Sequence, residues 1–307
     1  MGILDGKRAI VTGSSRGVGR GYAKAMAAQG ARVVVSGTTA DLVQEVVAEI
    51  RDAGGEATPC VASISTFDGA ERLVQTGVDA YGGVDILVNN AGVIAERMMF
   101  NMTDQEFSGP MQVDYYGTFA CSRHAARLMR QQQWGRIVNT GDTSGLHGLL
   151  GGTNVGAAKG GIHAMTMIWA IELAKYNITV NCIIPGAYSR MHDPLITKAL
   201  EVRRQRGETN VPTFEEMVAA TPKPEETLDF LLYLCSDEAG WINGQIFTMN
   251  KAKISLWSRP VQKIQWHNPQ GVHLDEIRAH AREVFGGQLE YLGRETAWME
   301  ELEQSKR

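Results

Sequence analysis

Residues 9–19 read AIVTGSSRGVG: three apolar residues, a Thr-Gly stop, and a turn with glycines at 13, 17 and 19. A short unbroken apolar run closed by a turn signal marks a strand buried on both faces, as in a parallel sheet. The Ala, Met and Tyr residues that follow recur at helical spacing and predict a helix over 17–29, stopped by Gly30. Strand, tight turn and helix together make the first half of a βαβ unit.

The rest of the chain repeats that pattern. Strands are predicted at 32–36 (RVVVS), about 57–62 and 85–89 (DILVN). Helices lie between them at 41–53, with Leu42, Val46 and Ile50 on one face, and at about 67–81. The second half adds a long helix at about 109–132, a strand at 136–140, a helix at 155–176 and a strand at 179–184. A polar stretch, 189–220, holds a helix near 194–206; a helix at 227–235 and a strand at 245–249 complete the alternation. Short apolar strands alternating with helices of this length predict right-handed crossovers in a doubly wound α/β sheet. The reading is a single domain over 1–250, with a lid over the substrate at about 187–222, and a C-terminal extension, 251–307. In that extension 254–257 reads as a further strand, 273–285 as an amphipathic helix and the last residues as frayed.

Composition narrows the function classes. Of 307 residues, 44% are hydrophobic and 21% charged, the balance of an ordinary globular chain rather than a disordered one. A net charge of -4 argues against a nucleic-acid surface. No apolar run approaches the roughly 20 residues of a membrane span, and the charged N-terminus does not read as a signal peptide. Four cysteines, Cys60, Cys121, Cys182 and Cys235, lie far apart and predict reduced, buried thiols. A cytoplasmic protein acting on a small molecule is the expectation.

In residues 12–19 the glycines allow close backbone approach, and the helix behind them offers unpaired N–H groups and a positive dipole end to a pyrophosphate. With this turn, Asn89-Asn90-Ala91-Gly92 after the fourth strand, Lys159 on a later helix and Pro185-Gly186 after the sixth strand, the chain resembles the short-chain dehydrogenase/reductase family over about residues 5–250. PGAYSRM (185–191) and SLWS (255–258) are similar to the hydroxyacyl-CoA dehydrogenase part of peroxisomal multifunctional β-oxidation enzymes. The resemblance implies a Rossmann-type fold with a seven-stranded parallel sheet, and homodimers or homotetramers built on the helices at 109–132 and 155–176. It also implies a nicotinamide dinucleotide held by Gly13, Ser15, Arg16, Gly17, Val18, Gly19, Thr38, Ser63, Asn90, Ala91, Gly92, Lys159, Pro185, Gly186 and Ser189. Ser63 stands where the family often has an aspartate beside adenine. The second strand ends in Ser36-Gly37-Thr38-Thr39, with no carboxylate to repel a 2′-phosphate, and Arg16 can pair with that phosphate. NADP(H) is favoured over NAD(H).

The family's proton relay is an Asn–Ser–Tyr–Lys set. Anchored on Lys159, the tyrosine place is Val155, the serine place Asp142 and the asparagine place Asp114. Valine donates no proton, and an ionised carboxylate repels a forming oxyanion, so ordinary ketone chemistry is disfavoured. Two acids suit hydride delivery to an iminium-like carbon, or general-base work in a lyase, isomerase or cyclase. They also suit plain structure: Asp142 capping its loop through backbone N–H groups, Asp114 pairing with Lys159. Tyr115, Tyr116, His147, Tyr188 and His192 are candidate replacement donors, Tyr188 and His147 the best placed. Arg203, Arg204 and Arg206 form a basic face that either grips an anionic substrate or is merely solvated. Met98, Met99 and Met102 make an adaptable apolar wall or core. Nothing has metal-ligand spacing. Three readings stay open: an atypical enzyme using Asp142, Asp114, Lys159 and Tyr188; an inactive subunit pairing with an active paralogue; and an ordinary reductase with a relocated donor.

Overall fold

The computed structural model describes residues 2–205 and 207–289. It begins with β1 (Arg8–Val11), α1 (Gly17–Ala28), β2 (Arg32–Gly37), α2 (Ala40–Asp52), β3 (Glu56–Val61), α3 (Phe67–Tyr81) and β4 (Ile86–Asn89). Next come α4 (Asp104–Pro110), a π-helical turn (Met111–Tyr116), α5 (Gly117–Gln132), β5 (Gly135–Thr140), the one-turn α6 (Ser144–His147), α7 (Thr153–Leu173) and β6 (Ile178–Pro185). The polar stretch folds into α8 (Asp193–Gln205) and α9 (Phe214–Ala220), followed by α10 (Asp229–Leu234), β7 (Ile246–Met249) and β8 (Ile254–Leu256).

The sheet runs β3-β2-β1-β4-β5-β6-β7-β8. Its first seven strands are parallel, as the alternation of strand and helix requires. β8 returns antiparallel along β7, so the sheet has eight strands where seven were expected. The added strand is the run 254–257 already noted in the sequence. Strand order reverses between β1 and β4, and in doubly wound sheets the crevice outside the strand ends at such a point receives the ligand.

Alternation within the strands explains why they are apolar throughout. Ala9, Val11, Val33, Val35, Ile86 and Val88 pack on one face with Tyr22 and Met26 of α1, Val46 of α2 and Leu231 of α10. Ile10, Val34, Leu87 and Ile137 pack on the other with Leu73 of α3, Ala120 and Met129 of α5 and Ala170 of α7. Both faces are dry, which is the condition for a parallel sheet.

The long helix expected at 109–132 starts earlier and is interrupted. Thr103 and Glu106 form a capping box at the start of α4, and the π turn follows Pro110. Proline lacks a backbone N–H and crowds the preceding turn, so regular α spacing does not run through it. The extra residue in that turn carries Asp114.

The described chain separates into two compact units at residue 257. The second contains α11 (Leu274–Phe285), where Trp266 meets His280 and Phe285. Residues 290–307, expected to fray, lie outside the described residues, as does Arg206. No helix among the described residues is long and apolar enough to cross a membrane.

Candidate active site

The ends of β1, β4, β5 and β6 bring the sequence-predicted residues to one edge of the sheet. Thr12 Oγ1 accepts hydrogen bonds from the N–H groups of Asn90 and Ala91, both at 2.9 Å. Asn90 Nδ2 donates to the carbonyls of Thr12 and Gly13 at 3.0 and 3.3 Å. The Asn-Ala-Gly segment after β4 is therefore strapped to the glycine turn after β1. Gly13 and Gly17 adopt φ of +63° and +56°, where a side chain would be strained. A Cβ on Gly13 would lie 2.9 Å from Ala91 Cα, and one on Gly19 would lie 2.4 Å from Asn90 Nδ2.

These residues fit a dinucleotide. A Cβ placed on Gly17 would meet nothing closer than Ser189 Oγ at 4.0 Å, so the space over the turn is open. No side chain caps the N-terminus of α1. Its first amides are left for an anion, the arrangement that suits a pyrophosphate. Ser15 is buried against Gly37, whose Cβ would sit 2.7 Å from Ser15 Oγ. Arg16, Thr38 and Ser63 are exposed around it, and Val18 is half-buried. Ser63 Oγ pairs with Ser65 Oγ at 2.8 Å. Pro185 ends β6, and Gly186 N–H donates to the Met249 carbonyl at 2.7 Å.

Lys159 is buried on α7. Its Nζ contacts Asp114 Oδ2 at 3.1 Å and donates to the Thr140 carbonyl at 3.0 Å. Asp114 Oδ1 accepts from Val93 N–H at 2.8 Å. Gly92 is small enough for the approach: a Cβ there would lie 2.8 Å from Asp114 Oδ2. Burial pushes the Asp114 carboxyl above the usual range, against the pull of Lys159 and the Val93 amide. The expected structural pairing of Asp114 with Lys159 is thus present.

Two polar clamps explain how α7 delivers this lysine, and neither was predicted from the sequence. Asn89 Nδ2 donates to Ser122 Oγ and to Asn139 Oδ1, and Asn139 Nδ2 donates to Thr166 Oγ1 at 2.9 Å. That buried chain ties β4, β5 and α5 to α7. At the other end Asn154 Nδ2 donates to the carbonyls of Ala95 and Glu106, each at 2.7 Å. Buried amide hydrogen bonds that link several elements fix a helix in one register. The only sequence signal was asparagine within apolar strands.

Asp142 follows β5. Its Oδ1 accepts the Ser144 N–H at 2.7 Å, the loop-capping role foreseen for it, while no hydrogen bond engages Oδ2 among the described residues. Val155 is buried one turn before Lys159. Glu96, which the sequence reading missed, belongs to this neighbourhood. Burial and the charge of Asp142 raise its carboxyl, and Lys198 of α8 opposes them. A lone acid in an apolar loop after the Asn-Ala-Gly segment was the available signal.

One of the replacement donors is engaged with another side chain. Tyr188 donates its hydroxyl to Asp193 Oδ1 at 2.6 Å, and this bond raises the phenol pKa. His147 is exposed, with Nδ1 3.2 Å from the Gly148 carbonyl. Tyr115 packs across Gly161, where a Cβ would lie 2.6 Å from its ring. Tyr116 stacks obliquely on Phe119, and His192 lies in the turn before α8. Arg203 pairs with Glu208 at 2.6 Å. Met98 and Met99 are exposed, a surface wall rather than core.

A profile of the short chain dehydrogenase family matches residues 7–197. The chain belongs to that family. It is 33% identical over 299 residues to the hydroxyacyl-CoA dehydrogenase ChsB1 of Mycobacterium tuberculosis, covering 92% of this chain and 90% of that protein. It is 31% identical to the 3-oxoacyl-[acyl-carrier-protein] reductase FabG of Thermotoga maritima, over 79% of this chain and 96% of the relative. Peroxisomal multifunctional enzyme type 2 of Mus musculus is 34% identical over 87% of this chain, which spans 34% of that longer protein. The crystal structure of a short chain dehydrogenase from Mycobacterium avium superposes with a TM-score of 0.81 at 34% identity, covering 96% of this chain and all of the other. Members of the short chain dehydrogenase family are oxidoreductases that bind nicotinamide dinucleotides, and the glycine turn and its straps fit that cofactor here.

Proposed function

We propose that this chain is an NADP(H)-dependent member of the family that acts on a substrate carrying positive charge at the reacting carbon, of the iminium class. The observation that carries the reading is the buried Lys159–Asp114 pair at 3.1 Å beside Val155. Lys159 is already committed to one carboxylate, and no phenol stands one turn before it. Asp142, with Oδ2 unengaged among the described residues, then leaves one carboxylate oxygen available. Negative charge opposes a developing alkoxide and stabilises a cation. When bound, the reduced cofactor supplies the hydride. Lys159 holds Asp114 in place, Asp142 and Glu96 favour a protonated C=N group, and Val155 excludes water from one side of the pocket. An iminium carbon needs no proton in the hydride step, so the absence of a donor at residue 155 costs that chemistry nothing.

Exposed Arg16, with no carboxylate over residues 36–39, supports the NADP(H) preference through a charge-assisted contact to the 2′-phosphate. Residues 187–222 act as the substrate lid, and 251–307 as an extension. Four free, buried cysteines accord with a cytoplasmic setting. The test is direct: the full chain is mixed with NADPH or NADH and either a cyclic imine or the ketone of the same ring size, and oxidation of the nicotinamide is followed. Faster consumption with the imine and NADPH is expected; preference for the ketone would overturn the reading. Turnover with no change in nicotinamide redox state would instead support carboxylate-assisted proton abstraction, for which the raised carboxyls of Asp114 and Glu96 are suited.

A second reading is a subunit that pairs with an active relative. Phe119 on α5 and Ile168 and Ile171 on α7 are exposed, Ile171 to 80%, which favours burial of this helix face against another subunit. A purified chain that forms a self-sufficient homodimer or homotetramer and turns over substrate would count against a dependent role.

A further inference from the structure

His163 stands on α7 one turn after Lys159 and is 4% exposed. Both of its ring nitrogens are buried without a hydrogen-bond partner. The ring fills space left by a glycine: a Cβ built on Gly141 would fall 2.5 Å from His163 Nε2 and 2.7 Å from Cys182 Sγ. Gly145, at the far end of the same short loop, presses on the same helix, since its Cβ would lie 2.5 Å from Gly160 N. Between these two contacts the loop carries Asp142. Two further buried hydroxyls without partners, Thr140 Oγ1 and Ser144 Oγ, lie at either side of that aspartate in the chain. Four of the seven unpartnered buried side-chain polar atoms among the described residues thus gather around one loop; the other three are Tyr22 Oη, Asn89 Oδ1 and His124 Nε2. Such atoms each carry a cost of about 1–3 kcal/mol, and their concentration beside a site is a functional signal.

We propose that His163 is a positioning residue of the candidate site, an imidazole wedged against Gly141 that sets where the loop holds Asp142 relative to Lys159. The inference rests on the reading of Asp142 given under the proposed function. Geometry makes the coupling short-ranged. The imidazole meets the loop backbone at Gly141, and Lys159 leaves the same helix one turn earlier. The charged and titratable groups around the ring are Lys159 on its own helix, Asp142 from the loop and Cys182 from β6. Burial and Lys159 lower the His163 pKa, while the nearby Gly145 backbone, short of hydrogen-bond geometry, and Asp142 oppose them. Burial pushes the Cys182 thiol up to about 12, so it stays neutral beside the ring.

Two measurements test this on the full chain. In the first, imidazole nitrogen NMR signals are followed with pH, His163 being assigned by its loss in His163→Gln. The ring is expected to stay neutral below the midpoint of the exposed histidines, and Asp142→Asn is expected to lower its midpoint further, because a carboxylate that raises it has gone. An unchanged midpoint in that variant would overturn the coupling. In the second, binding of NADPH is compared with binding of 2′-phospho-ADP-ribose, which lacks the nicotinamide end. His163→Leu should weaken NADPH by about fivefold, because the loop and Lys159 lose their fixed spacing, and leave the shorter ligand within about twofold. His163→Gln, which keeps a neutral donor and acceptor, should restore NADPH binding. Equal effects on both ligands, or none, would overturn the positioning role. Should His163→Leu fail to fold, Gly141→Ala takes its place, because the added methyl displaces the ring from the loop side. A parent chain that binds neither ligand counts against the proposed function, and the NMR titration still decides the role of His163.

Discussion

Asp114 is held at both oxygens, by the Lys159 ammonium and the Val93 amide, with almost no solvent contact. Removing one partner of a buried pair strands the other charge. Asp114→Ala is therefore expected to destabilise the fold by about 3–5 kcal/mol in urea unfolding, and Asp114→Asn by less, since its carbonyl still accepts from Val93. Asp142 is different, because its structural bond uses only Oδ1. Asp142→Asn keeps that acceptor and should leave the unfolding midpoint within about 1 kcal/mol while abolishing turnover; full turnover would remove the carboxylate from the mechanism. Gly19→Ala sets a methyl 2.4 Å from Asn90 Nδ2 and 2.5 Å from the Gly13 carbonyl. Dinucleotide affinity, measured by fluorescence titration, should fall by about tenfold as the strap between the two turns shifts. At this scale the sequence singled out Asp142 and Val155, which stand where the family resemblance places hydroxyls. It did not disclose Glu96 or His163, because neither belongs to a spaced motif. A glutamate in a loop and a histidine on a helix acquire meaning from what packs beside them.

Among the elements, strands and helices of the first ninety residues were legible because each carries a simple period and ends in glycine or a polar cap. Helix α3 matches its expected span, with Thr66 accepting from Gly69 at one end and Gly82 in the left-handed region at the other. The interruption before α5 was not legible, since helical periodicity is blind to one inserted residue. β8 follows from local chemistry that becomes compelling only beside β7. Trp257 Nε1 donates to Thr248 Oγ1 at 2.7 Å, and the antiparallel pairing covers an edge that would otherwise expose unpaired groups. A chain ended after residue 250 should lose about 1–3 kcal/mol and aggregate more readily than one ended after 257, as judged by thermal unfolding and light scattering.

For the whole molecule, buried histidine sets a direction for stability against pH. His163 has its pKa lowered in the folded state, so the unfolded chain binds the extra proton first. Its contribution is fully present above the unfolded value of about 6.5 and is lost as pH falls through the folded value. Relative to the parent, His163→Leu should accordingly gain thermal stability as pH drops from about 7.5 to about 5.5; a difference that stays flat across this window would show that the imidazole does not resist protonation.

The sequence alone determined the doubly wound fold and the glycine turn after its first strand. Strand burial, glycine conformation and residue chemistry are local properties and can be read one position at a time. Tertiary structure decided that Lys159 is paired with Asp114, that Tyr188 is spent on Asp193, and that His163 fills the hollow at Gly141. The first and last of those outcomes depend on distances between residues far apart in the chain, fixed by helix register and by buried asparagine clamps that no local pattern encodes; the second depends on how the turn before α8 folds.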